Sequence, residues 1–246
     1  MALRAVFFDV GDTLWHGKDA PPASEFRRIA SERVTAALRE WGVSPADPAA
    51  VARVAWDSLE EAMRTARATD LVEPDYPEVT RQALLESGLA LTHGQSAELL
   101  DAMYVSGSDG GKAAFADAPA TLLELRERGF LLATVTNRAF GGERYRKDLR
   151  DAGLDIGWDA HAVSVEVGYL KPHPAIFEFA LRELSLGPAE VLMVGNSLAE
   201  DVAGATGLGI ATAWRRSAPD AEGVIPNYAV DELHELLAIP VLRGCC

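Results

Sequence analysis

Short apolar runs alternate with amphipathic stretches along most of the chain. Residues 3–10 are almost continuously apolar, rich in Val and Phe, and stop at Gly11-Asp12-Thr13. Such a run predicts a buried parallel strand that feeds a loop. From about residue 21 to 103 the pattern changes. Ile29, Arg33/Val34 and Leu38 fall at helical spacing within 27–41, and Gly42 follows as a C-cap. Residues 49–68, 77–87 and 95–103 read as three more helices, with no strand signal among them. The stretch is an all-helical block inserted between strands.

Beyond residue 115 helices and strands alternate. Helices are expected at 119–128, 144–152 and 174–184, the last with Pro174 in its first turn, and another begins at 202–206. Strands are expected at 130–135, 162–165, 191–194 and 210–214. This order means a parallel sheet covered on both faces. The predicted architecture is α/β, with a Rossmann-like parallel-sheet core of residues 1–16 and 113–246 and an inserted all-helical domain of residues 17–112.

Composition narrows the function. Hydrophobic residues make up 48% of the 246 and charged residues 24%, so the chain folds and is not a disordered segment. The formal charge of -14 argues against nucleic acid as a partner, because the field repels a polyanion. A small anionic ligand remains compatible, since local N–H groups or one Lys act at short range. The two cysteines, Cys245 and Cys246, are read as exposed thiols on a frayed tail, so no disulfide framework or cysteine zinc site is expected. No stretch resembles a signal peptide or reaches the ~18 apolar residues of a membrane helix. The expected address is cytoplasmic, without membrane contact; the oligomeric state stays open.

In open α/β sheets ligands bind at the carboxyl ends of the strands. Asp9, Gly11, Asp12 and Thr13 follow the first predicted strand, and Thr136-Asn137 the second. Gly168 through Pro172 follow the third, and Gly195, Asn196, Ser197, Glu200 and Asp201 the fourth. One rim thus gathers carboxylates, a hydroxyl and an ammonium. The set suits a carboxylate nucleophile. Asp9 attacks an electrophilic centre, Thr136 and backbone N–H groups hold the transferred group, and Lys171 neutralises charge. Asp201 positions Lys171, a metal or water.

Four segments, in order, resemble the motifs of the haloacid dehalogenase (HAD) superfamily. They are Phe7-Phe8-Asp9-Val10-Gly11-Asp12-Thr13-Leu14, Thr136-Asn137, Lys171-Pro172-His173-Pro174-Ala175-Ile176-Phe177, and Val194-Gly195-Asn196-Ser197 through Asp201. The helical insert is similar to that family's cap. The resemblance implies an aspartyl-enzyme intermediate on Asp9, Thr136 as ligand of the transferred group, Lys171 as charge clamp and Asp201 as the last-motif acid. Thr13 and Asn137 join them as substrate-binding positions. It also implies a Mg2+ site at Asp9, Gly11, Asn196 and Asp201.

Two positions depart from the family's phosphatase pattern. Gly11 stands where phosphatases carry a second Asp as general acid/base, whose loss typically costs 10²–10⁴-fold in rate. Asn196 stands where the pattern has a metal-binding Asp; an amide oxygen supplies no charge, so weak Mg2+ binding is expected. Three readings follow. The first is a phosphatase of a small phosphorylated metabolite. The second is a metal-independent 2-haloacid dehalogenase-type hydrolase, in which Arg27, Arg28 or Arg33 of the cap would meet the substrate carboxylate. The third is a catalytically attenuated binding protein. The plainer reading of those arginines is a solvated helix face. Asp12 is expected to bond loop N–H groups, His16 to be a loop histidine, His173 to face solvent in a turn, and Trp41 and Trp56 to pack. The glycines at 204–209 do not follow a strand in the order a dinucleotide loop requires.

Overall fold

The computed structural model describes residues 2–18, 20–43, 45, 47–216 and 223–243; the Cys245-Cys246 tail lies outside them. The chain divides into two compact units, Met1–Lys18 with Lys112–Cys246, and Asp19–Gly111.

The first unit holds β1 (Ala5–Phe8), β2 (Trp15–His16), β3 (Ala113–Ala114), β4 (Leu131–Thr136), β5 (Ala160–Val163), β6 (Val191–Gly195), β7 (Ala211–Arg215) and β8 (Tyr228–Val230). Six of them form a sheet in the order β5-β4-β1-β6-β7-β8, parallel throughout. The two-residue strands β2 and β3 pair antiparallel where the chain leaves and re-enters this unit. The helices are α5 (Ala118–Glu127), α6 (Gly142–Asp151), α7 (Ser164–Val167), α8 (Pro174–Leu184) and α9 (Ala203–Gly207).

Strand β1 explains why its run has almost no polar position. Every residue in it is fully buried. Val6 and Phe8, with Val10 beyond the strand, join the core under α5 and α6, beside Leu122, Leu125, Tyr145 and Leu149. Ala5 and Phe7 point to the opposite face, against Ile176, Phe177 and Ala180 of α8. A strand covered on both faces has no side left for a charge until it ends, and there Asp9 stands.

The second unit is made of α1 (Ala23–Glu40), α2 (Pro48–Ala68), α3 (Tyr76–Glu86) and α4 (His93–Met103). Helix α1 packs on α2 and α4, and α3 on the same two. Ala30, Val34 and Leu38 make the buried stripe of α1 at a spacing of four. The Asp47 carboxylate accepts from Ala50 N–H to cap α2, and Asp75 accepts from Glu78 N–H to cap α3. No described helix is long and apolar enough to cross a membrane.

Several expectations are corrected. The strand expected at 162–165 occupies Ala160–Val163 instead, and Ser164 opens a helical turn. The helix expected from 202 is preceded by a wide helical turn at Leu198–Val202. Strands β2, β3 and β8 are additions, too short to show a period of two. His16 is part of β2, its ring set edge-on to Phe115, and not a loop residue.

Candidate active site

The parallel sheet puts the ends of β1, β4 and β6 side by side, and the candidate residues follow from that. Asp9 comes directly after β1 and is 6% exposed. Its N–H donates to the Val194 carbonyl at 2.9 Å, so the backbone of β6 fixes it. The Thr13 hydroxyl donates to Asp9 Oδ2 at 2.9 Å.

Lys171 carries the main electrostatic feature. Its ammonium, 1% exposed, donates to Asp9 Oδ1 and to Asp201 Oδ1, each at 2.7 Å. The Ser197 N–H donates to Asp201 Oδ2 at 3.0 Å. Burial lowers the pKa of Lys171, but Asp201 and Asp9 together outweigh it and hold it above the ordinary lysine range. Burial also pushes the Asp201 carboxyl up to about 7; Lys171 opposes this and the Asp9 charge adds to it. One cation between two buried carboxylates leaves the group short of one positive charge.

Asn137 holds this lysine by its backbone. Its Oδ1 accepts from Lys171 N–H at 2.7 Å, and its Nδ2 donates to the Lys171 carbonyl and to Glu200 Oε2, both at 3.2 Å. Thr136, at the end of β4 and 3% exposed, lines a cavity of about 270 Å³ with Gly11, Trp15, Asn137 and Arg138. Asp9, Thr13, Asn137, Lys171 and Asp201 are thus one hydrogen-bonded set, with Thr136 and Gly11 on the adjoining cavity wall.

Gly195 makes the set possible. A Cβ there would stand 2.2 Å from Asp201 Oδ2 and 2.3 Å from its Cγ. Only a residue without a side chain lets that carboxylate lie against the end of β6.

The loop after Asp9 is a tight turn, with Asp12 at φ 54°. Asp tolerates this left-handed region better than most residues. The Asp12 side chain makes no hydrogen bond to the loop N–H groups among the described residues, contrary to expectation; its backbone carbonyl accepts from Arg215 Nη1 at 2.9 Å instead. His173 does not simply face solvent. Its Nδ1 accepts from Ala175 N–H at 3.2 Å to cap α8, and its ring stacks on Tyr169.

Two of the three cap arginines are occupied locally. Arg28 pairs with Glu25 and Glu32, and Arg33 donates to the Tyr104 carbonyl. Arg27 and Arg28 line a cavity with Trp56, whose Nε1 donates to Glu60 Oε1 at 2.6 Å.

Arg138 is the cation that the sequence reading misses. Its N–H donates to Ser164 Oγ at 2.8 Å, its Nη2 donates to Asp148 Oδ2 at 2.7 Å, and its guanidinium lies 5.2 Å over both Trp15 and Tyr145. The only signal is its place directly after Thr136-Asn137.

The oxygens around Asp9 suit Mg2+ in kind. Asp9 Oδ2 and Asn196 Oδ1 lie 2.9 and 3.4 Å from one hydroxyl, Thr13 Oγ1, so an anionic and a neutral oxygen converge there. Both Asp201 oxygens are taken by Lys171 and Ser197. Among the described residues, no group of three or more His, Cys, Asp and Glu side chains is arranged to hold a metal by itself.

Known proteins resemble this chain in sequence and in fold. The chain is 31% identical over 131 residues to a glyceraldehyde 3-phosphate phosphatase of Methanopyrus kandleri, covering 51% of this chain and 55% of that protein. It is 34% identical over 130 residues to a phosphoserine phosphatase of Thermus thermophilus, covering 52% and 51%. These two matches thus span about half of each relative. A glyceraldehyde 3-phosphate phosphatase of Methanothermobacter thermautotrophicus matches at 26% identity over 85% of this chain and 83% of its own. Among solved structures, a 2-haloacid dehalogenase of Pseudomonas syringae pv. Tomato superposes with a TM-score of 0.66 at 22% identity, over 98% of each chain. A HAD phosphatase of Thermococcus onnurineus does so with 0.60 at 24% identity, over 96% of this chain and 97% of that one. The model of the haloacid dehalogenase-like hydrolases matches residues 3–209, and the chain belongs to that family of hydrolases.

Proposed function

We propose that this hydrolase cleaves the phosphomonoester of a small phosphorylated metabolite through an aspartyl phosphate on Asp9. The observation that carries the reading is the buried carboxylate of Asp9 held between the Thr13 hydroxyl and the Lys171 ammonium, 2.9 and 2.7 Å away. A fixed carboxylate beside a permanent cation is suited to attack an anionic electrophile that would otherwise repel it. The names of the phosphatase relatives support the same substrate class.

An Asp9 oxygen attacks phosphorus, a bond forms between them, and the bond to the leaving oxygen breaks with its electron pair on that oxygen. Water then attacks the aspartyl phosphate, which frees phosphate and restores the carboxylate. Lys171 offsets charge at Asp9 and on the phosphoryl oxygens. Thr136 holds the phosphoryl group, and Asn137 fixes the lysine backbone. Asp201 holds the ammonium in place. Asp9, Asn196 and the Gly11 carbonyl would hold Mg2+, which would supply positive charge against the phosphoryl group. With one charged ligand the affinity is weak. The cavity of about 270 Å³ beside Thr136 admits a small leaving group, and Arg138 and Trp15 flank it.

A second reading rests on Gly11. It puts no acid two residues after Asp9, so nothing there protonates a leaving alkoxide. A halide leaving group needs no proton, which favours hydrolysis at carbon. Phosphate release from a panel of phosphorylated metabolites, with Mg2+ and with EDTA, tests the first reading. We expect release that disappears in Asp9→Asn. No phosphate in either buffer, together with chloride release from 2-chloropropionate in EDTA, would replace it with the second.

A further inference from the structure

Arg215 is the last residue of β7 and a buried cation. It is 6% exposed and lies in no ion pair among the described residues. A guanidinium has five N–H donors. Among the described residues Arg215 spends one, from Nη1 to the Asp12 carbonyl. Its Nε is buried and has no hydrogen-bond partner among the described residues. The flat face is used by Phe115, whose ring centroid lies 3.6 Å from Cζ. One hydrogen bond and one ring contact do not replace the hydration lost by a buried charge.

The arginine borders a cavity of about 680 Å³. Lys18, Arg216, His16, Asn196 and Asp12 line it as well. Arg216 is already paired, with Asp231 at 3.1 Å, and among the described residues Asp12 is the one carboxylate on the wall. Lys18 and Arg215 therefore outnumber the acid. That is a local reversal in a chain whose 37 acidic residues exceed its 23 lysines and arginines. The loop that follows Asp9 separates this cavity from the one beside Thr136, with Gly11 on the wall of one and Asp12 on that of the other.

We propose that this second cavity binds a small oxyanion, a carboxylate or a phosphoryl group, through the unspent N–H donors of Arg215 with Lys18 adding charge. The planar fork of arginine matches both groups. Asn196 lines the same wall, and its backbone carbonyl accepts from Trp214 Nε1 at 2.9 Å. The anion has two sources: a free ion, or a second acidic end on the molecule that is cleaved at Asp9. The latter source rests on the phosphatase reading; the site itself does not.

The test is a titration of inorganic phosphate into nitrogen-15-labelled protein at an ionic strength of about 0.15 M, where weak surface attraction is screened. The Nε–Hε signal of Arg215 is assigned by its loss in Arg215→Met, or in Arg215→Lys if the first variant does not fold. We expect that signal to shift and saturate, with a midpoint different from that of the Thr136 and Asn137 amides. An Arg215 signal that stays still while those amides saturate overturns the proposal, whether or not the protein turns over any ester. Kinetics then separate the sources. The ratio of kcat/KM for phosphoglycolate, which bears a carboxylate, to that for p-nitrophenyl phosphate, which does not, is compared between wild type and Arg215→Lys. A fall in this ratio of about 10- to 100-fold identifies the substrate's own acidic end. An unchanged ratio with a saturating shift identifies a free anion.

Discussion

Replacing Lys171 with methionine leaves Asp9 and Asp201 buried at 6% and 1% exposure with no cation between them. Breaking a buried pair from one side costs about 3–5 kcal/mol. Chemical denaturation of Lys171→Met at pH 8 should show a loss of that order, alongside loss of turnover; a loss below about 1 kcal/mol would mean that the carboxylates are not charged in the fold. Asp201 adds a pH dependence of known sign. Burial raises its folded pKa to about 7, above the ordinary aspartate range near 4, so the native state binds the extra proton between the two. The stability this carboxyl contributes is present below about 4 and is lost as pH rises through about 7. The denaturation midpoint of wild type should therefore fall relative to Asp201→Asn across that window, and parallel profiles would contradict the shift. The gathering of Asp9, Thr136, Lys171 and Asp201 is legible in the sequence, because each stands where an apolar run ends or shortly beyond. Arg138 and Arg215 are not legible, because their partners are a hydroxyl, a distant carboxylate, a backbone carbonyl and aromatic rings brought together only by folding.

Strand β6 and the turn after it depend on Gly195. Its replacement by alanine forces a Cβ to within 2.2 Å of an Asp201 carboxylate that Lys171 and Ser197 hold in place. Overpacking of this kind typically costs 1–3 kcal/mol. We expect Gly195→Ala to lower the melting temperature and to lower activity with it, as measured by calorimetry and by phosphate release. A stable, fully active variant would show that the Asp201 side chain has another resting place. The elements that sequence periodicity places well are the long ones. It places α1 late, at 27 and not at Ala23, because Ser24 and Glu25 are polar and Phe26 alone in that turn falls on the stripe of Ala30, Val34 and Leu38. It carries the third strand past Val163 because Val165 continues the apolar run. Ser164 ends the strand by a contact outside that run, accepting from the Arg138 N–H at 2.8 Å.

For the molecule as a whole, the pairing of Trp15 with Ala114 and of His16 with Ala113 sets the chain's exit from and return to the sheet unit on neighbouring strands. Opposed residues of such a pair lie about 5 Å apart, a gap that a few glycines and serines span. A protein with residues 20–111 replaced by such a linker should retain a cooperative thermal transition and the circular dichroism of an α/β fold. A molten chain would show that the sheet unit requires the insert. The split between strands and the helical block is written in the period of the apolar residues, while the chemistry of the leaving group is not, since no apolar pattern encodes it.

The central place of β1 also has a cost in time. Within this sheet the strand that comes first along the chain is the one that both halves need, and its neighbours begin at Leu131 and Val191. At about 5–20 residues per second, the apolar segment Ala5–Phe8 waits several seconds to tens of seconds for its partners. Such distant pairings slow folding, and an unpaired apolar strand is prone to aggregate. Asp9, at the tip of that strand, is therefore made well before the strands that put it in position.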